Sequence, residues 1–446
     1  MVTRCCCYLP YLFMVKMGES YTKMLKNLRE TGLIQLLCNR NFRLVWFANL
    51  TSAVGNILHE VAIVWLVSKQ TESAFAVGAV VISSSLPFLI FGLVGGAIAD
   101  RFNKRKIMII SDLLRALLVL LVPVLFSANL LTLPAIMVIA FLRSAIAKFF
   151  YPAQQSLIPY LVDKEQLASA NSFNQTSRMA VSAAAPAIGG ILIAMTGLTA
   201  AFVIDAITFL VSAICLYGIT TAVSEETTSQ TKKDFSARVL AYDIFDGIRY
   251  IYHSRALRIV VFTTLVSVFG FGPYRPITLL YFQNYIGMDS AQYGLNLSMA
   301  FIGLAVGSAF AGTKLKGFHP ERVYAFGLFI MALTTLFIGL TQGLFAIYGV
   351  SFFRAFGNGL IVVALTTMLQ LRASEKQLGR VFSTVDVCSE SVRPLSIAAA
   401  TTLADAVSPQ FAILLSSGFF WLSALIASLM LKPKSLQVDV EILSTD

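Results

Sequence analysis

"GGAIADRFNKRK", residues 95–106, decides how this chain is read. Asp100, Arg101, Lys104, Arg105 and Lys106 put five charges into seven positions of a sequence that is 57% hydrophobic and only 13% charged. Long apolar stretches flank the cluster. A soluble globular protein of this composition would expose large apolar patches, so lipid is the expected solvent. The cluster then marks a turn between two membrane spans, held at the water boundary by its cations.

Apolar windows recur on both sides of this turn: 42–68, 75–99, 107–127, 132–153, 168–195, 199–220, 257–284, 290–312, 321–341, 343–368, 381–404 and 408–431. Each is long enough to cross about 30 Å of hydrocarbon at roughly 1.5 Å per residue, and a helix satisfies its own backbone groups there. Twelve transmembrane helices are expected, with both termini on one side. Of the 34 Lys and Arg residues, 23 fall in the termini and alternate loops that share the side of the 95–106 turn and three more, Arg43, Arg258 and Arg322, stand at the very ends of spans on that side, against Lys69 alone on the other. The remaining seven lie within spans. By the positive-inside rule this is a multi-pass protein of the plasma (inner) membrane with both termini cytoplasmic. The net charge of +11 is an orientation signal, and no nucleic-acid partner is expected.

The longest polar stretch, 221–256, follows the sixth span. Its first part reads as a linker and its second, with Val239, Ile244, Ile248 and Ile251, as a surface helix. The division is therefore a cytoplasmic N-terminal segment (1–41), a six-helix bundle (42–220), a cytoplasmic linker (221–256), a second six-helix bundle (257–431) and a cytoplasmic tail (432–446). Residues 18–38 read as a basic amphipathic helix on the inner membrane surface. Sliding the chain on itself by 211 positions aligns Gly92 with Gly303, Gly96 with Gly307, Phe141 with Phe352, Arg143 with Arg354 and Gln166 with Gln377. A further four-residue shift aligns Arg43 with Arg258. The order of these matches indicates a duplicated six-helix unit, the kind of repeat that encloses a site near the membrane midplane.

At this point the chain resembles the major facilitator superfamily. The family's signature G-x-x-x-D-[RK]-x-G-[RK]-[RK] reads here as Gly96, Asp100, Arg101, Asn103, Lys104 and Arg105. Asn103 replaces a glycine, and Asn tolerates the left-handed backbone that glycine allows in such a turn. The resemblance implies an all-α membrane fold of two pseudo-symmetric six-helix bundles, and a conformational latch at these residues. "AAAPAIGG", with Pro186, Gly189 and Gly190, resembles the antiporter motif of the family's exporters, Ala185 standing for its first glycine. Further stretches, among them "SDLLRALLVL" and "YPAQQSLIPYLVDKEQLASANS", resemble the drug-efflux branch that includes macrolide-efflux and enterobactin-exporter-like proteins. The resemblance implies a proton-coupled exporter of a small organic compound such as a drug, macrolide or siderophore. Uptake or lysophospholipid flipping on the same fold is the alternative. That branch often carries an acid after the first-span glycine; here Asn56 follows Gly55.

Charges within a bilayer are costly and so are functional candidates. Coupling to protons needs a buried acid; Glu390 is placed near the midplane, with Glu60 and Asp112 next. The competing reading is structural pairing, since Glu390 and Arg393, like Asp112 and Arg115, are three apart on one helical face. His59, beside Glu60, reads as a hydrogen-bonded histidine toward the outside. For the substrate cavity the candidates are Asn49, Asn56, Arg143, Asn174, Arg178, Arg354, Asn358 and Arg393, with Phe47, Phe269, Phe271 and Tyr274 for an apolar moiety. Four midplane arginines against one acid favour an anionic or polar substrate. "GFGPYRP", 270–276, is expected to interrupt the seventh span as a hinge.

The six cysteines show no metal-ligand spacing, no cofactor motif is present, and HExxH, GxSxG and P-loop patterns are lacking, so enzymatic function is not expected. A monomer is expected, with the bilayer, a small-molecule substrate and protons as its partners.

Overall fold

The computed structural model describes residues 33–220 and 237–431, apart from 273, 316, 375 and 376. The linker 221–236, the tail 432–446 and most of the expected amphipathic segment 18–38 lie outside the described residues. All regular structure among the described residues is helical. A short α1 (Leu33–Cys38) precedes α2 (Arg40–Thr71), α3 (Ala74–Arg101), α4 (Lys104–Ser127), α5 (Leu133–Leu157), α6 (Leu167–Thr196) and α7 (Leu198–Tyr217). Next come α8 (Ala237–His253), α9 (Arg255–Phe271), α10 (Tyr274–Tyr281) and a π-helical turn (Phe282–Ile286), then α11 (Ser290–Thr313), α12 (Pro320–Leu340), α13 (Leu344–Arg372), α14 (Leu378–Ala406) and α15 (Pro409–Met430).

Helix starts follow local chemistry. Asn39 accepts from the Asn41 and Phe42 amides at the head of α2, and Asp289 with Gln292 forms a reciprocal capping box on α11. Asn103 departs from expectation. Its φ of −63° and ψ of 110° are extended, not left-handed, and its side chain accepts from the Lys106 amide. Asn stands there as the N-cap of α4, which a glycine would do only by leaving the amide to water.

Eleven helical stretches among the described residues are long and apolar enough to cross a membrane, one of them being α9 and α10 together with the π turn. The twelfth expected span, 381–404, is present as α14, but Arg380, Asp386, Glu390 and Arg393 make it too polar to pass on hydropathy. It packs against α3, α8, α9 and α15, so protein serves as the solvent for part of its surface. In the seventh span α9 ends at Phe271 and α10 starts at Tyr274; Gly272 between them keeps helical φ and ψ, and residue 273, on which the expected hinge centres, lies outside the described residues.

The two bundles repeat one packing scheme. In the first, α3 packs on α5, α2 on α7 and α6, and α4 on α5 and α7; in the second, α11 packs on α13, α9 on α15 and α14, and α12 on α13 and α15. Contacts between bundles obey the same exchange, α6 against α11 and α14 against α3. A close approach confirms the register: a Cβ on Gly55 would meet Asp205 and Thr208 of α7, and a Cβ on Gly270 would meet Ser416 and Phe420 of α15. Gly55 and Gly270 are related by the shifted alignment, 215 apart, and Asp205 and Ser416 by the 211 offset.

The apolar core is distributed unevenly. At the end carrying the Asn103 turn there are two separate cores, one in each bundle: Phe42, Met108, Phe150 and Leu216 in the first, and Leu257, Tyr324, Met368 and Phe420 in the second. At the opposite end a single core runs through both, joining Trp65, Val77 and Phe202 to Leu280, Tyr293 and Ile413.

Candidate functional site

The shared core is reinforced by polar contacts across the seam. Asp405 of α14 accepts from the Ala74 and Phe75 amides at 2.7 and 3.1 Å and from Ser73 Oγ at 2.6 Å, capping α3 from the other bundle. A carboxylate at a helix N-terminus is favoured by the helix dipole. Ser68 Oγ donates to Gln283 at 2.5 Å, and Ser290 Oγ donates to the Gly190 carbonyl at 3.1 Å. The proline-glycine motif lies on this seam: a Cβ on Gly190 would sit 2.2 Å from the Ser290 carbonyl oxygen, and one on Gly294 would sit 2.2 Å from that of Pro186. Backbone meets backbone there, which only glycine permits. Gly189 instead faces Leu58 within its own bundle.

Beneath this seam, α2, α3 and α6 of the first bundle and α10 and α11 of the second enclose a cavity of about 140 Å³, lined by Ile57, Glu60, Val64, Pro186, Arg275, Tyr293 and Phe301 among others. Glu60 Oε2 and Arg275 Nη1 meet across it at 3.0 Å, each side chain about half exposed. Sequence reasoning proposed Glu60 but not its partner.

A second polar region lies within the first bundle. Asp205, fully buried on α7, is 3.1 Å from His59 Nδ1 and 3.6 Å from Arg143 Nη2, and Arg143 donates to Asn56 Oδ1 at 2.7 Å. Asp112 is paired with Arg115 and accepts from Ser212 Oγ at 2.6 Å. The Arg115 guanidinium lies between the Phe150 and Phe209 rings, 4.6 and 4.4 Å from their centroids. Beside these groups is a hollow of about 180 Å³ lined by Asn49, Ser52, Asn56, Arg115, Gln154 and Arg178. Asn49 and Asn174 flank a smaller space with Arg178, and Nδ2 and Oδ1 of Asn49 and Nδ2 of Asn174 are buried without a protein hydrogen-bond partner.

The structure thus brings Asn49, Asn56, Arg143, Asn174 and Arg178 together in one bundle. Arg354 and Asn358 sit in the other, on α13, and the Arg354 guanidinium stacks on Tyr274 at 3.2 Å and on Phe271 at 5.2 Å. Glu390 is paired with Arg393 at 2.9 Å on α14, and Asp112 with Arg115 on α4. The tally of four midplane cations against one acid is corrected: Asp205 neutralises Arg143, and it is the lone carboxylate of the apolar run "AAFVIDAITF". Of the latch residues, Lys104 lies over the Tyr160 ring and Arg105 donates to the Leu216 carbonyl at 2.9 Å and to the Tyr217 carbonyl, all within the first bundle. The side chains of Gly96, Asp100 and Arg101 lie outside the described residues.

Two bundles of matching packing around a cavity bridged by the Glu60–Arg275 ion pair form a membrane transporter of the major facilitator fold. The chain belongs to the transmembrane secretion effector family of that superfamily, whose model matches residues 32–374. Multidrug efflux pump Tap of Mycolicibacterium fortuitum is 26% identical over 374 residues, 81% of this chain and 89% of the relative. Macrolide efflux protein A of Streptococcus pyogenes is 22% identical over 385 residues, 84% and 92% of the two chains. A crystal structure of the nucleoside transporter NupG superposes with a TM-score of 0.74 at 10% identity, covering 88% of this chain and all of that one. The protein is a multi-pass membrane transporter of small molecules, not an enzyme.

Proposed function

We propose that this chain is a proton-coupled exporter of a small organic, hydrogen-bonding compound, working as a monomer in the inner membrane with both termini and the basic Asn103 end at the cytoplasm. The distribution of the apolar core carries the reading: one core shared by the bundles at one end and two separate cores at the other. Rocking the bundles apart at the shared end and together at the basic end exchanges access to the cavity between them. Orientation rests on the Lys and Arg bias. The export direction rests on the efflux activities in the names of the relatives and on the resemblance of the Pro186–Gly190 segment to an antiporter motif, with Pro186 and Gly190 at the seam.

Glu60 and Arg275 supply the coupling. In the state described they attract one another across the seam and hold the outer end shut. A substrate entering from the cytoplasm competes for their hydrogen-bonding groups and loosens the seam. With the outer end open, Glu60 faces outside water without Arg275 and takes up a proton there. Reclosure brings Arg275 back, and the cation and the proton compete for one carboxylate, so the proton leaves toward the cytoplasm. Glu390 is tied to Arg393 on its own helix and also lies in electrostatic range of Lys148 of the first bundle.

The test is drug-driven proton movement and drug accumulation in everted vesicles, with and without an uncoupler. Glu60→Gln is expected to abolish drug-linked proton movement, whereas Glu390→Gln retains it. Undiminished proton movement in Glu60→Gln would remove the coupling role; substrate accumulation in intact cells would replace export by uptake.

A further inference from the structure

On the outer face of the second bundle, at the basic end, α8, α9, α14 and α15 frame an apolar groove of about 620 Å³. Along α9 its lining follows a single stripe, Arg255, Arg258, Phe262 and Leu265, spaced i, i+3, i+7 and i+10. Charge stands at the helix start and hydrocarbon follows. From Arg255 to Leu265 the stripe runs about 15 Å at 1.5 Å per residue, which matches the hydrocarbon depth of one leaflet.

Two other arginines of the second bundle at this end are neutralised. Arg372 is paired with Glu321 and Arg380 with Asp246. Arg255 and Arg258 are exposed, and among the described residues neither meets a carboxylate; Arg258 is held 5.3 Å over the Tyr252 ring. Two uncompensated guanidinium groups above an apolar slot complement a molecule with an anionic head and an acyl tail. We propose that this groove is a binding site for an anionic phospholipid of the adjacent leaflet, its phosphate on Arg255 and Arg258 and one chain along Phe262 and Leu265. The site is separate from the transport cavity and its recognition does not depend on the direction of transport.

The full-length protein, delipidated in detergent and offered equimolar phosphatidylglycerol and phosphatidylcholine, is examined by native mass spectrometry. Retained phosphatidylglycerol is expected to exceed phosphatidylcholine. Each arginine near an anionic surface contributes enough that Arg255→Gln and Arg258→Gln should each lower the preference roughly 5-fold. The Arg255→Lys/Arg258→Lys variant should keep most of it, and Leu265→Trp, which fills the slot, should lower retention of both lipids. Cys388 in the groove wall reports occupancy: in a variant with the other cysteines replaced, phosphatidylglycerol should slow its maleimide labelling. Equal retention of the two lipids by the wild type, or an unchanged preference in Arg255→Gln/Arg258→Gln, overturns the proposal. So does lipid-independent protection of Cys388 that grows with protein concentration, which would make a second copy the occupant.

Discussion

Arg143 and Arg354 occupy equivalent places in the two bundles, yet their surroundings are opposite. Arg143 faces Asn56, Asp205 and, through Asp205, His59. Arg354 faces Phe271 and Tyr274, with no carboxylate within ion-pair distance among the described residues, and its Nε and Nη2 are buried without a hydrogen-bond partner. The 215 shift sets Asn56 against Phe271, His59 against Tyr274 and Glu60 against Arg275; the 211 offset sets Asp205 against Ser416. The first bundle thus neutralises its arginine with an acid. The second covers the cation with aromatic faces. Duplication preserved the backbone packing while the charge balance diverged, leaving the second bundle with a buried cation and the seam with opposite charges, Glu60 and Arg275, at matched positions.

This contrast has measurable consequences. Asp205→Asn strands Arg143 without its counter-charge, and breaking a buried pair from one side costs about 3–5 kcal/mol, so the thermal unfolding temperature in detergent should fall steeply. Gly190→Ala forces a methyl against a backbone carbonyl that has no rotamer to escape into; overpacking of this kind costs about 1–3 kcal/mol and acts on the seam. Spin labels on the 72–73 and 341–343 turns should then show longer distances between the bundles. Arg354→Met removes a buried cation that neutralises no acid. The lost ring contact and the relieved burial offset each other, so stability should change by only about 1 kcal/mol while transport of anionic substrates falls. A loss as large as that of Asp205→Asn would mean the second bundle holds a counter-charge after all, and the contrast would collapse. Gly189→Ala meets only the flexible end of Leu58 at 2.7 Å, and its cost should be about 1 kcal/mol or less, with the seam distance unchanged.

The fold was legible because hydropathy belongs to each segment by itself. Eleven spans stand out that way among the described residues. The window 381–404 is read the same way and is present as α14, although its polar residues weaken the signal. The Asn103 turn was placed correctly but given the wrong backbone, since Asn serves both left-handed turns and N-caps and only the following amides show which applies. Asn49, Asn56, Asn174 and Arg178 were legible as polar residues in apolar helices, and they do converge.

Partners were less legible than positions. Asp112 with Arg115 and Glu390 with Arg393 could be paired from spacing because three residues along a helix fix a distance. Asp205 with Arg143, Glu60 with Arg275 and Asp405 with the head of α3 could not, because each distance depends on how two separate helices are docked. The amino-acid sequence by itself determined where the chain crosses lipid, which ends are basic and which side chains are costly to bury. Only the tertiary structure decided which of those charges neutralise one another and which end of the molecule is closed, since energy between charges depends on their separation in space and not along the chain.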